Sequence, residues 1–348
     1  MSRGDVVAHL LRSREPSIRW KARVHVLGED ADSGSLRRLQ GEIRTSRRTR
    51  VLLRERTRSG PRKAPLGVYW KWTGDHWVLA HLADLGYPAG DPSLRPRIQR
   101  ALDVWLAPNY FREYDAAVQK RPTGASWGVP RLEGRYRRCA SQQGNALWYA
   151  TALGPFPEEC GRLAERLVHW QWPDGGWNCD PNPSADTSSF GETLIPMMAL
   201  HAYGTAHRNV DALEAARRAA EVFLRRRLYR RVTNGKVIHW EFARLHYPLY
   251  WHYDFLGGLK AMAEMGALHD PRCTEALDLL ESKELPGGGW PAEGRYYDLP
   301  GERARRGTDS VLWGRNGPGL NEWVTVDALA VLRAAGRFAP DAGGSAGR

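Results

Sequence analysis

The chain has 348 residues, 42% hydrophobic and 26% charged, which excludes a wholly disordered chain and a disulfide-stapled mini-protein. No apolar run approaches the roughly 20 residues of a membrane helix, and the first residues carry no secretory h-region with a small-residue cleavage site. The formal charge is +12, and residues 1–63 alone hold 17 Lys/Arg against 7 Asp/Glu.

That charge is densest from Arg44, Arg47, Arg48 and Arg50 through Arg54, Arg56, Arg58, Arg62 and Lys63. A basic face favours anionic partners such as nucleic acid, phosphate groups or an anionic membrane surface. The competing reading is a solvated helix face, because Leu36, Leu39, Ile43, Val51, Leu52 and Leu53 are interleaved with the charges. Four cysteines (Cys139, Cys160, Cys179, Cys273) with no close pair fit a reducing compartment, so a cytoplasmic protein is expected.

In chain order, one shape recurs: an apolar, helix-like stretch that ends in Gly, where helices commonly stop in the left-handed conformation. The stretches end at Gly28, Gly86, Gly154, Gly204, Gly266 and Gly336. Most are followed by a turn and a second, more charged helix, as at 92–106, 159–172, 211–228 and 271–285. The first helix of each pair is apolar nearly all round and the second is amphipathic, which puts the first inside and the second outside. Six such pairs predict an all-α (α/α)6 toroid over residues 1–338 as one domain, with residues 1–63 as a basic first helix pair. A disordered tail is expected from 339. The alternative is an open helical solenoid. Period-two alternation is almost absent, so little β-structure is expected.

The loops ahead of the inner helices carry Gln171-Trp-Pro-Asp-Gly-Gly-Trp177, Pro286-Gly-Gly-Gly-Trp290 and, at 70–74, Trp-Lys-Trp-Thr-Gly. Together these resemble the QW-type repeats of the terpenoid cyclase and protein prenyltransferase superfamily, over roughly residues 10–338. The resemblance implies the toroid, with Gln171, Trp177 and Trp290 tying one outer helix to the next helix start. The family's chemistries do not transfer residue by residue. Where squalene-type cyclases carry Asp-x-Asp-Asp, this chain has the lone Asp186. Where prenyltransferases hold zinc through Asp-x-Cys and His, it offers Cys179-Asp180 and His252 in a different spacing.

In a toroid the inner helices run parallel, and their N-termini gather unpaired N–H groups and positive partial charge at one mouth suited to an anionic head. The residues expected there include Asp186, Glu192, His252, Asp254 and Glu322 as candidate catalytic groups. Trp72, Asp75, His76, Trp77, Gln142, Asn145, Tyr250, Trp251, Tyr253 and Trp323 are the candidate lining. Each has a structural alternative: Glu192 and Glu322 as helix-start caps, Asp254 paired with Arg244 or Lys260, and His76 as a satisfied core histidine. No cofactor is expected; zinc through Cys139, Cys179, Asp180 and His252 is the alternative, against cysteines as buried filler.

Three functions compete. The resemblance points to a small, largely apolar substrate, with isoprenoids as its suggested class, bearing an anionic head. A carboxylic acid would protonate an alkene there and aromatic faces would stabilise the cation. A glycan-active hydrolase or lyase would use two carboxylates about 5–9.5 Å apart. A binding module would take nucleic acid or a phosphorylated ligand on the basic region.

Overall fold

A computed structural model describes residues 1–55, 67–118, 128–303 and 305–340. Arg56, Arg58, Arg62 and Lys63 of the basic run, and residues 341–348 of the expected tail, lie outside the described residues. Among the described residues helices hold 51% and strands 6%. No described helix is long and apolar enough to cross a membrane. Two compact units divide the chain: Met1–Glu55 with Asp84–Pro88 and Arg226–Arg348, and Arg56–Ala83 with Ala89–Arg225.

The first unit opens with α1 (Arg3–Leu11) and α2 (Pro16–Lys21), and α2 runs into a wider π-type turn over Ala22–Leu27. Then come α3 (Gly34–Thr45) and α4 (Arg47–Leu53). Leu36, Leu39 and Ile43 bury one stripe of α3 and Leu52 anchors α4, while most of the arginines face outward. Arg48 is an exception, because it pairs with Glu15 at 2.7 Å and lies over the Trp313 and Trp323 rings at 4.7 and 5.0 Å. That arginine is committed to packing.

The second unit holds α5 (Asp75–Asp84, whose last residue groups with the first unit), α6 (Arg95–Trp105), α7 (Pro108–Phe111), α8 (Ala140–Leu153), α9 (Pro157–His169), α10 (Phe190–His207) and α11 (Val210–Leu224). The first unit resumes with α12 (Phe255–Glu264), α13 (Thr274–Ser282) and α14 (Glu322–Ala334). α9 shows the outer-helix logic. Pro157 opens it, Glu158 and Glu159 sit in the first turn and Arg166 and His169 in the last, complementing the helix dipole. Cys160, Leu163, Ala164 and Leu167 form its buried stripe.

α8 and α10 are buried on several sides and pack on each other. Their closest approach uses Gly144, where a Cβ would come within 2.8 Å of the Pro196 backbone nitrogen. In the first unit α14 packs on α12 and on the Ala22–Leu27 turn. Gly28, Gly86, Gly266 and Gly336 are left-handed, as the pattern predicts for helix stops. Gly154 is extended instead, and α10 continues through Gly204 to a left-handed Arg208. Gly204 is small for another reason: a Cβ there would meet Leu213 Cγ at 2.7 Å.

The two Gly-Gly-Trp turns make the same hydrogen bonds within their own units. Each indole donates to a carbonyl ten residues upstream, Trp177 to Leu167 at 2.9 Å and Trp290 to Leu280 at 2.7 Å. Each backbone N–H donates to a threonine in the first turns of the next long helix, Trp177 to Thr193 and Trp290 to Thr325. Gln171 donates to the carbonyls of Gly175 and Ala215, both at 2.7 Å, and so ties α11 to the turn.

The structure has little β-structure, as expected, but the all-α class needs one correction, a small three-stranded sheet. β1 (Glu113–Asp115) pairs in parallel with β2 (Val129–Leu132), which pairs antiparallel with β3 (Arg135–Tyr136). Strands of two to four residues are too short to show alternation. Their one local signal is the Glu133-Gly134 turn, left-handed at both residues as a type I′ hairpin turn requires.

Candidate functional site

In the second unit the residue chain Arg138-Cys139 leads into α8, and Glu192 stands in the first turn of α10. Ser189 caps α10 by accepting from the Glu192 N–H at 3.2 Å. The Glu192 carboxylate does not reach back to its own helix. One oxygen accepts from the Ser141 N–H of α8 at 2.9 Å, and the other accepts from the Cys179 thiol at 3.5 Å. Glu192 therefore caps the neighbouring helix. Cys139 occupies the N-cap position of α8 without making a cap hydrogen bond. Its sulfur, Cys179 Sγ and a Glu192 oxygen all lie within 4.8 Å of one another.

Arg138 completes this cluster, donating to the side-chain oxygens of Gln142 at 2.7 Å and Gln143 at 3.0 Å and covering the Tyr110 ring at 5.0 Å. Arg138, Cys139, Gln142, Cys179 and Glu192 all keep some solvent-accessible surface. Burial pushes the Glu192 carboxyl above its ordinary range, and hydrogen bonds from Ser141 and Cys179 and the charge of Arg138 only partly oppose this. The neighbouring Cys179 sulfur holds the Cys139 thiol below its ordinary value, while the same contact and burial drive Cys179 up.

Tyr69 links the cluster to an aromatic group. Its hydroxyl, pushed up to about 12 mainly by burial, hydrogen-bonds Gln142. Its ring meets His76, Trp77 and Trp105 at 5.4, 5.2 and 5.7 Å. Trp72 stands edge-on to Trp77 at 4.7 Å. Of the residues singled out in the sequence, Trp72, His76, Trp77, Gln142, Asn145 and Glu192 come together here. Asp75 turns to the outer helix α6, where Arg97 (2.5 Å) and Arg100 (3.0 Å) hold it. Asp186 is exposed beside Thr187, so this lone acid is not in the cluster.

His76 is fully buried. The Trp105 indole N–H donates to its Nδ1 at 3.1 Å, and its Nε2 lies 3.4 Å from Asn145 Nδ2. Burial depresses its pKa to about 3. The unfolded chain therefore takes up the proton first, and stability is full above about pH 6.5 and falls as pH drops towards 3. From pH 7 to pH 5 this histidine alone should remove about 2 kcal/mol, read by urea unfolding at the two pH values, and His76→Gln should flatten the difference.

The first unit holds the remaining candidates. Asp254 is wholly buried, accepts from the Gly257 N–H and the His246 N–H at 2.8 Å each, and faces His246 Nδ1 at 3.3 Å. It is the N-cap of α12, and its partner is His246 in place of the expected Arg244 or Lys260; Arg244 pairs with Glu241 and Lys260 with Asp327. Glu322 accepts from Ser13 Oγ at 2.9 Å and lies 3.1 Å from His9 Nε2. His252 is stacked between Trp251 and Tyr296, with ring centroids 4.0 and 3.8 Å away. Tyr250 donates to Asp309 at 2.5 Å, Tyr253 donates to the Leu228 carbonyl at 2.6 Å, and Trp323 stacks on Tyr247 at 5.1 Å.

Sequence reasoning missed a closed ring of charge in this unit. Lys21 Nζ lies 2.8 Å from Asp84 and 3.4 Å from Asp327, while Lys260 Nζ lies 2.6 Å from Asp327 and 3.9 Å from Asp84. The Tyr247 hydroxyl donates to Asp84 at 2.5 Å. Burial raises the Asp84 carboxyl, but Lys21 and Lys260 outweigh it and hold the group well below its ordinary range. Of the four, the sequence points to Lys260 only as a partner for Asp254. The others are far apart in the chain, and no local pattern joins them.

No protein-family model matches the chain, and no curated protein matches it.

Proposed function

We propose that this is a terpenoid-cyclase-like helical protein of the (α/α)6 class whose second unit binds a largely apolar small molecule by an anionic head. The observation that carries this reading is the accessible cluster of Arg138, Gln142 and Glu192 at the start of α8, joined through Tyr69 to the Trp72–His76–Trp77 group. Arg138 is the anchor for the head, and the first N–H groups of a 14-residue helix add to the same field. Tyr69 and Tyr110 supply aromatic surface for the apolar body. Glu192 is the proton donor of the metal-free cluster, because burial keeps its carboxyl protonated to higher pH than an exposed glutamate. The repeated Gly-Gly-Trp turns support the family resemblance, and an isoprenyl diphosphate is the ligand class that joins both halves of the site.

Farnesyl diphosphate binding to protein kept in a metal chelator tests this, with inorganic diphosphate as a head-only probe. Arg138→Gln is expected to weaken both probes about 10- to 100-fold, the range of a hydrogen bond to a charged group. Glu192→Gln is expected to leave binding within a few-fold and to abolish any turnover. Equal affinity of wild type and Arg138→Gln would sink the assignment.

A further inference from the structure

We propose that Cys139, Cys179 and Glu192 form a three-ligand site for a thiophilic divalent cation of the zinc class. Three observations carry this. The ligand atoms already lie within 4.8 Å of one another, and a tetrahedral ion with Zn–S and Zn–O bonds of about 2.3 and 2.0 Å spaces its ligands about 3.5–3.8 Å apart. The Cys179 Sγ to Glu192 Oε1 distance of 3.5 Å is within that range as it stands. The three residues also come from three separate places, the N-cap of α8, the loop after Trp177 and the first turn of α10, so each is fixed by its own backbone.

The charge of the surroundings suits the bound state. Two thiolates, a carboxylate and a divalent ion sum to −1, which Arg138 at the adjacent position neutralises. Soft sulfur with one oxygen selects zinc over magnesium or calcium, and three protein ligands leave a fourth position to water. That position and Arg138 are two adjacent receptors for an anionic head. Only this last step rests on the ligand reading given above; the cation site itself does not.

Binding releases the two thiol protons. Protein purified in reductant and loaded with one equivalent of zinc is expected to retain about one equivalent after desalting. Calorimetry in buffers of different ionisation enthalpy is expected to show about two protons released near neutral pH. Cobalt in place of zinc should give a sulfur-to-metal charge-transfer band. Cys139→Ser or Cys179→Ser should lower zinc affinity at least tenfold and abolish that band, while Cys160→Ser and Cys273→Ser, at buried cysteines elsewhere, leave both unchanged. Retention of less than about a tenth of an equivalent by the unsubstituted protein overturns the site. So does a cobalt spectrum without sulfur character, or a Cys139–Cys179 disulfide that persists in reductant. Should a serine variant not fold, the wild-type spectrum and proton count decide. Zinc binding without farnesyl diphosphate binding would leave the cation site standing and remove the ligand reading, and the converse separates them the other way.

Discussion

Lys21→Met is expected to lower the unfolding free energy by about 3–5 kcal/mol, the cost of leaving a buried ion without its partner. The Lys21 side chain is 3% exposed and is the shorter bridge to Asp84, since Lys260 stands 3.9 Å from that carboxylate. Removing the ammonium leaves Asp84 with Tyr247 and one distant cation, and leaves Asp327 with Lys260 alone. Methionine keeps most of the stem volume, so the loss reports charge and not a cavity. Adding Asp84→Asn should recover a large part of the loss, because the double variant no longer buries an unmatched carboxylate. Chemical denaturation of the two single variants and the double gives the coupling. A strictly additive cycle would mean that the ring contributes nothing as a unit. The depressed Asp84 carboxyl fixes the pH sign: its contribution is present above the ordinary value of 3.8 and is lost as pH falls below it.

The second large effect is expected at Asp254. Asp254→Ala removes the cap of α12 and orphans two buried N–H groups, those of Gly257 and His246. A lost cap of about 1 kcal/mol plus a lost buried charged hydrogen bond of about 1.5–3 kcal/mol places the cost at about 2.5–4 kcal/mol. Asp254→Asn keeps an oxygen for Gly257 and should cost less than half of that. Thermal or urea unfolding separates the two variants. A folded Asp254→Ala protein of wild-type stability that had lost ligand binding would instead return Asp254 to the catalytic set. Glu192 differs from it in the way that matters: its carboxylate contacts a neighbouring helix and the Cys179 thiol, and the residue keeps some solvent-accessible surface.

The helix pairs were legible because periodicity is a local property. An apolar stretch closed by Gly28, Gly86, Gly266 or Gly336 needs no knowledge of its neighbours to be read as a helix with a left-handed stop. Gly204 misled because a small residue answers two demands alike, a positive φ and a close contact, and only Leu213 distinguishes them. The aromatic half of the site was partly legible, since Trp72, His76 and Trp77 fall at one helix start. The polar half was less so. Glu192 reads as the second member of a Ser-x-x-Glu capping box, and its actual partner, the Ser141 N–H, lies 51 residues away.

By itself the sequence determined the helical class, the repeat of apolar and amphipathic helices, and the Gly-Gly-Trp turns, because each follows from side-chain spacing and backbone freedom within a few residues. Tertiary structure alone decided which acids are caps, which are ring members and which stands open beside two thiols. Those roles depend on burial and on partners distant in the chain, and a carboxylate's chemistry is set by the charges and dipoles around it.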